Sequence, residues 1–229
     1  MVFGGLQKFS LVDFPGKISS IVFTRGCGFR CPYCHNPELV DPARYATPIP
    51  YDEIMRFLGS RKGRLQGVVV TGGEPTFQDG LPDFLTALRR LGLSTKVDTN
   101  GSNPDVLKEI IARGLVDYFA MDLKAPLDSY SRVAGVKLST DDISRSLRLI
   151  VGSGLPHEIR TTYVESLLSL REMTEVAALA RGCERFVLQR FRPSKSLDAE
   201  MLSQPVPSQT RLQEIKLAME HEGIKVILR

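Results

Sequence analysis

The chain has 229 residues, 42% of them hydrophobic and 24% charged, with 30 Lys and Arg against 26 Asp and Glu for a formal charge of +4. These globular proportions exclude disordered and collagen-like chains, and a mild basic excess lacks the concentrated positive face of a dedicated nucleic-acid binder. A chain this long buries roughly 70–75% of its unfolded surface and needs no disulfide staples; no apolar run nears the ~18 residues of a membrane span, and Met1-Val2-Phe3-Gly4-Gly5 lacks the basic start of a signal peptide, so a cytoplasmic protein is expected.

Met1–Lys17 precede the first clear strand and are expected to pack at an edge. Ile18–Thr24, ISSIVFT, is β-branched and predicts a strand that runs straight into Cys27, Cys31 and Cys34. Cys183 stands alone and reads as a small apolar filler at a strand edge. Four cysteines without a secretion signal do not make a disulfide framework. A zinc knuckle would want a closed set of four ligands. Here there are three, spaced C-x3-C-x2-C, and His35 directly after Cys34 is poorly placed as a fourth. Three thiolates on a four-iron cluster would leave one iron open to a small molecule, since such clusters usually carry four cysteines.

Beyond a proline-rich loop over Asn36–Pro50, strands and helices alternate. Tyr51–Lys62 predicts a helix and Gly67–Thr71, GVVVT, a buried strand. Asp79-Gly80-Leu81-Pro82 opens a helix whose apolar face is Leu81, Phe84, Leu85, Leu88 and Leu91. Thr95–Thr99 is a strand. Asn103-Pro104 reads as a cap with proline at the first helical position, and Gly114 closes that helix. Tyr118–Leu123, Glu158–Val164 and Arg185–Phe191 are further strands. Ser139-x-x-Asp142 and Ser169-x-x-Glu172 resemble capping boxes ahead of two more helices. A second loop-rich stretch covers Pro193–Pro207, Thr210–His221 predicts the last helix, and Gly223–Leu228 a short final strand. Such alternation implies right-handed βαβ units on a parallel sheet. Six units fall short of the eight in a closed barrel. The expected fold is α/β, an open, partial (β/α)6 barrel, with residues 1–229 forming one domain.

In parallel α/β folds chemistry gathers at the carboxyl ends of the strands. Each predicted strand puts polar residues there. The cysteines follow the first, and Gly72-Gly73-Glu74-Pro75 the second. Asp98-Thr99-Asn100-Gly101 ends the third and Asp122-Leu123-Lys124 the fourth. Arg160, Thr161 and Thr162 lie on the fifth, and Gln189, Arg190 and Arg192 on the sixth. Gly72 and Gly73 would let a ligand approach the backbone closely, and Glu74 would offer acceptor oxygens to an ammonium group. The alternatives are a plain Gly-Gly turn with Glu74 solvated, an ordinary turn at Asn100-Gly101, and Asp98 as a cap for the helix near Asn103.

Cys27-x3-Cys31-x2-Cys34, with Tyr33 before the last cysteine, is similar to the signature of the radical S-adenosylmethionine (radical SAM) superfamily, and Gly72-Gly73-Glu74-Pro75 resembles its second motif. Cys34-His35-Asn36 resembles the glycyl-radical-enzyme activases. Asp13-Phe14-Pro15-Gly16-Lys17, Asp98-Thr99-Asn100-Gly101, Met121-Asp122-Leu123-Lys124 and Arg160-Thr161-Thr162 resemble the activating proteins of anaerobic ribonucleoside-triphosphate reductase. The resemblance runs from about Leu6 to Arg192.

It implies a radical SAM oxidoreductase. Cys27, Cys31 and Cys34 would hold one [4Fe–4S] cluster whose open iron binds the amino and carboxylate groups of S-adenosylmethionine. Gly72, Gly73 and Glu74 would hold the methionine amino group. Asp122, Lys124 and Arg160 would contact the methionine part or ribose, with Asp98 and Asn100 in the same cofactor-binding set. Asp98, Thr99 and Asp122 also fall where relatives acting on pyruvate formate-lyase hold a monovalent cation. Those relatives place a histidine on the last strand near the adenosyl group; Leu188-Gln189-Arg190-Phe191 has none. The implied reaction is reductive cleavage of S-adenosylmethionine to methionine and a 5′-deoxyadenosyl radical that takes hydrogen from a glycine of a partner enzyme. The implied partners are a glycyl-radical enzyme and an electron donor such as flavodoxin or ferredoxin. The competing expectation is a radical enzyme acting on a small molecule, like 7-deazaguanine synthase, which shares C-x3-C-x-Y-C. His35-Asn36 and Asp122-Leu123-Lys124 favour the activase.

Overall fold

The computed structural model describes residues 1–229. Apolar and β-branched runs separated by amphipathic helices fold as eight strands: β1 Phe3–Ser10, β2 Ser19–Thr24, β3 Gly67–Gly72, β4 Ser94–Thr99, β5 Tyr118–Asp122, β6 His157–Tyr163, β7 Phe186–Arg190 and β8 Val226–Leu228. They form one sheet in sequence order. β1 runs antiparallel to β2, and every later neighbour is parallel. β1 and β8 are not bonded to each other, so the sheet curls without closing, as a partial barrel does.

The helices are α1 Pro37–Val40, α2 Tyr51–Ser60, α3 Leu81–Arg90, α4 Pro104–Ala112, α5 Tyr130–Ala134, α6 Thr140–Val151, α7 Leu170–Leu179 and α8 Gln209–Glu220. α3 shows why they form where they do. Leu81, Phe84, Leu85 and Leu88 are all buried at helical spacing, Pro82 sits in its first turn, and Arg89 and Arg90 complement the negative end of the helix dipole. Ser169 and Glu172 make the expected reciprocal capping box on α7. Ser139 does not cap α6 with its side chain. Nor does Asn103 cap α4; its amide nitrogen donates to the Thr76 carbonyl at 2.7 Å and ties α4 to the loop after β3. Gly114 closes α4 with φ +59°.

β1 was not legible as a strand. Its two glycines and exposed centre carry little strand propensity, and it holds through its pairing with β2, Leu6 opposite Val22 and Gln7 opposite Ile21.

Alternation along the strands makes two different interiors. Outward residues such as Val68, Val70, Val97, Phe119, Met121 and Leu188 pack under the helices in the main core. Inward, Ile21, Val69 and Tyr118 meet Phe14 and close the bottom of the barrel. Phe14 lies where a Cβ on Gly67 would be 2.9 Å from its ring, so Gly67 makes room for this plug. Above the plug the interior turns polar.

Candidate cofactor site

A cavity of about 570 Å³ opens at the carboxyl ends of the strands, within the range of small-molecule sites. Its wall includes Cys27, Cys31 and Cys34, the Gly72-Gly73-Glu74 loop, Asp98, Asn100, Asp122, Lys124 and Arg160. All eleven site residues expected from the sequence meet here.

Close backbone packing holds the cysteine loop. A Cβ on Gly73 would lie 2.1 Å from the Gly26 carbonyl oxygen, and one on Gly72, at φ +111°, 2.7 Å from Thr24 backbone atoms. The glycines therefore make room for the chain leading into the cysteines, and their backbone also lines the cavity. On the other side, Arg30 N–H donates to the Ala134 carbonyl at 2.8 Å, and Gly135 takes φ +69° against the Arg30 carbonyl.

Glu74 is a buried brace. Oε1 accepts from Thr76 N–H at 3.1 Å, Thr76 Oγ1 at 2.6 Å and Thr99 Oγ1 at 2.7 Å; Oε2 accepts from Asn100 N–H at 2.7 Å. Burial raises its carboxyl against these lowering bonds. Of its acceptor capacity, only Oε2 keeps room for a further donor. Asn100 carries the brace on to the cysteines: its amide nitrogen points at Cys27 Sγ at 3.5 Å, and Phe29 N–H at 3.4 Å.

All four cysteines are free thiols. Burial, and then the Glu74 charge, pushes Cys27 up to about 12; burial pushes Cys31 to about 11 and raises Cys34. Without metal these thiols hold their protons, and metal binding must displace them.

The opposite wall is an alternating chain of charges. Lys96 Nζ pairs with Asp98 Oδ1; Arg160 Nη1 bonds Asp98 Oδ2 at 3.0 Å. Arg160 Nε bonds Asp122 Oδ1 at 2.8 Å, and Lys124 Nζ bonds Asp122 Oδ2 at 3.1 Å. Burial alone would raise both aspartates. Arg160, with Lys96 for Asp98 and Lys124 for Asp122, outweighs it, and both are held below the usual carboxylate range. Below lies Glu158, 1% exposed, contacted by Arg229 Nη1 and Nη2 at 3.4 Å and by Arg160 Nη1 at 3.8 Å.

The Radical SAM superfamily pattern matches residues 21–173. The chain belongs to the radical SAM superfamily. Over 224 residues, 95% of this chain and 91% of the relative, it is 29% identical to a Methanocaldococcus jannaschii protein provisionally named glycyl-radical enzyme activating enzyme. It is 30% identical to the pyruvate formate-lyase-activating enzyme of Clostridium pasteurianum over 80% of this chain and 79% of that one. Among solved structures, SuiB of Streptococcus suis bound to precursor peptide SuiA superposes with TM-score 0.70 at 18% identity, covering 91% of this chain and 48% of that one. Coproporphyrinogen III oxidase of Escherichia coli, a radical SAM enzyme, gives 0.64 at 16% identity over 93% and 54%. These structures share the fold, and the chain spans about half their length.

Radical SAM enzymes use a [4Fe–4S] cluster and S-adenosylmethionine. The donor set fits them: three free thiols on one cavity wall, two N–H groups aimed at a cysteine sulfur, and charges of both signs opposite for a zwitterion. The monovalent cation at Asp98, Thr99 and Asp122 does not fit. Every carboxylate oxygen of both aspartates already faces a side-chain cation.

Sequence reasoning missed Lys96, Glu158 and Arg229. The signal for Lys96 was available: in Thr95–Asn100, charged and polar Lys96, Asp98 and Asn100 alternate with Thr95, Val97 and Thr99, so they share one strand face. β7 carries no histidine, and His35 of the cysteine loop lies beside its end. His35 stacks on Phe191 with planes 6° apart, and its Nε2 donates to the Arg192 carbonyl at 3.0 Å. Asp98 caps no helix; it is committed to Lys96 and Arg160.

No helix is long and apolar enough to cross a membrane.

Proposed function

We propose that this radical SAM enzyme is an oxidoreductase that generates a glycyl radical on a partner enzyme, an anaerobic ribonucleoside-triphosphate reductase, drawing its electron from a flavodoxin or ferredoxin. The observation that carries this reading is the likeness along nearly the whole chain to a protein named as a glycyl-radical enzyme activating enzyme. Cys34-His35-Asn36 supports an activase, and the likeness of Asp13-Phe14-Pro15-Gly16-Lys17, Asp98-Thr99-Asn100-Gly101, Met121-Asp122-Leu123-Lys124 and Arg160-Thr161-Thr162 to reductase activators supports the choice of partner.

Cys27, Cys31 and Cys34 hold the cluster. When bound, the cluster and S-adenosylmethionine supply the radical chemistry; the chain supplies position and exclusion of water. The Gly72-Gly73 backbone and Glu74 Oε2 receive the methionine amino group. Arg160 and Lys124 face its carboxylate and the ribose, steadied by Asp122 and Asp98. Asn100 orients Cys27 while Glu74 orients Asn100, so the thiol and cofactor walls are set by one hydrogen-bonded unit. His35 on Phe191 fixes the loop end of the site.

The test combines the reduced, cluster-loaded protein and S-adenosylmethionine with an anaerobic ribonucleotide reductase of the same organism. A glycyl-radical doublet in electron paramagnetic resonance is expected, lost when the receiving glycine becomes alanine. No doublet with any glycyl-radical enzyme, together with transfer of hydrogen label between a small metabolite and 5′-deoxyadenosine, overturns the assignment.

A further inference from the structure

Lys96 has no part in the assignments above, yet its place is costly. Its side chain is 3% exposed, on the inner face of β4 directly above the plug. Tyr118 is its cross-strand neighbour, with the ammonium 5.9 Å from the ring centroid, and Phe14 packs behind Tyr118. A lysine buried between an apolar floor and a cofactor wall is held there only by a partner charge. That partner is Asp98 Oδ1.

The charge arithmetic explains the lysine. Lys96, Asp98, Arg160, Asp122 and Lys124, joined through Arg160 to Glu158 and Arg229, form a network of four cations and three anions, net +1. Without Lys96 the remaining six groups sum to zero, and Asp98 Oδ1 faces the cavity floor with no counter-charge. A singly charged cation there restores the balance. With Lys96 present an added cation would meet only oxygens that already face a side-chain cation, and would bring the wall to +2 in a poorly solvated place.

We propose that the Lys96 ammonium is a built-in monovalent cation: it fills permanently the place at Asp98 that an alkali-metal ion would take, so this chain binds S-adenosylmethionine without Na⁺ or K⁺. The inference rests on the assignment of the Asp98–Arg160–Asp122 wall to S-adenosylmethionine. Lys96 is a positioning residue. It fixes Asp98, Asp98 fixes the Arg160 guanidinium, and Arg160 faces the cofactor.

The experiment measures S-adenosylmethionine binding to the anaerobic, cluster-loaded protein in NaCl, KCl and tetramethylammonium chloride at equal ionic strength. Wild type is expected to bind equally in all three. Lys96→Met should bind about tenfold or more weakly in tetramethylammonium, the loss of one charge-assisted contact, and recover in NaCl or KCl. In parallel, K⁺ should raise the melting temperature of cluster-free Lys96→Met and leave that of wild type unchanged. Rescue by a small cation is a response that a purely structural lysine would not give. Lys96→Gln serves as a second variant if Lys96→Met does not fold. Wild-type binding that requires Na⁺ or K⁺ overturns the inference alone. So does a Lys96 variant that binds normally in tetramethylammonium, or one that no alkali cation rescues. Binding by wild type in none of the salts overturns the cofactor assignment and the inference with it.

Discussion

On the outer face of the sheet, Val97, Phe119, Met121, Ile159 and Leu188 meet the helices in a core of 47 buried residues, large enough to carry the stability of the fold. On the inner face of the same strands stand Lys96, Asp98, Asp122, Glu158 and Arg160. The two faces differ by one residue of register. Burial outside is non-directional, and other apolar residues of similar volume would serve. Inside, each charged group is held by a named partner at hydrogen-bonding distance. Hydrophobic replacement of a complete buried ion network is often neutral or stabilising, so stability does not explain why this one is charged. The outer face should therefore answer mutation in stability, and the inner face in binding.

The largest effect should come from the outer face. Phe119 is fully buried on β5. Phe119→Ala should cost about 3–5 kcal/mol in denaturant unfolding, transfer and cavity terms together. The fraction that remains folded should load iron and bind S-adenosylmethionine as wild type does. A loss of affinity without loss of stability would erase the distinction between the faces.

Arg160→Met should cost about 3 kcal/mol, at the low end for breaking a buried pair because Arg160 retains some solvent contact, and should abolish measurable S-adenosylmethionine binding. It leaves Asp98 and Asp122 without their shared guanidinium. The pH dependence has a definite sign. Both aspartates have folded pKa values below the unfolded value of about 3.9. Their stabilisation is complete above that value and is lost as pH falls through the folded pKa. The gap in unfolding free energy between wild type and Arg160→Met should be full near neutral pH and shrink below about pH 4.

Glu74→Gln sharpens the comparison, because Glu74 serves both walls. An amide in its place turns one acceptor into a donor facing a donor. The cost should be about 1–3 kcal/mol. If Oε2 also receives the methionine ammonium, affinity for S-adenosylmethionine should fall roughly ten- to hundredfold. Iron should leave the protein faster, because Asn100 no longer holds its place at Cys27. A pure brace would change stability and iron retention and leave affinity intact.

How much of this was legible depends on which face a residue serves. The seven parallel strands, β2 to β8, and most helices could be read, because β-branched runs and the 3.6-residue spacing of Leu81, Phe84, Leu85 and Leu88 are local signals. The gathering of the cysteines, Gly72-Gly73-Glu74, Asp98, Asp122 and Arg160 at one rim followed from topology, since parallel strands place their carboxyl ends together. β1 was lost because FGGLQKFS becomes a strand only against β2. The reach of Glu74 to Thr99 and Asn100, of Arg160 to Asp98 and of Arg229 to Glu158 depends on side-chain direction across strands up to 71 residues apart. No local pattern encodes that. The cation expected at Asp98 failed for the same reason: the carboxylates were visible in the sequence, but not what already faced them.

The smallest effect should come from Cys183, and it separates the two faces within a single residue type. Cys183 lies in the turn between α7 and β7, half-buried against the edge of the outer core, with its N–H donating to the Ala180 carbonyl. β7 runs from Phe186 toward Arg190, and Arg190 lines the cavity, so Cys183 sits beyond the opposite end of that strand. Burial pushes its thiol up to about 11, which keeps it protonated and slow to react at neutral pH. Cys183→Ala should change stability by no more than about 1 kcal/mol. After anaerobic reconstitution its iron and sulfide per chain should equal those of wild type, whereas Cys27→Ala, Cys31→Ala and Cys34→Ala should each lose the cluster. Iron lost from Cys183→Ala but kept by Cys31→Ala would move the metal site off the cavity wall, and the charged inner face would then need another explanation.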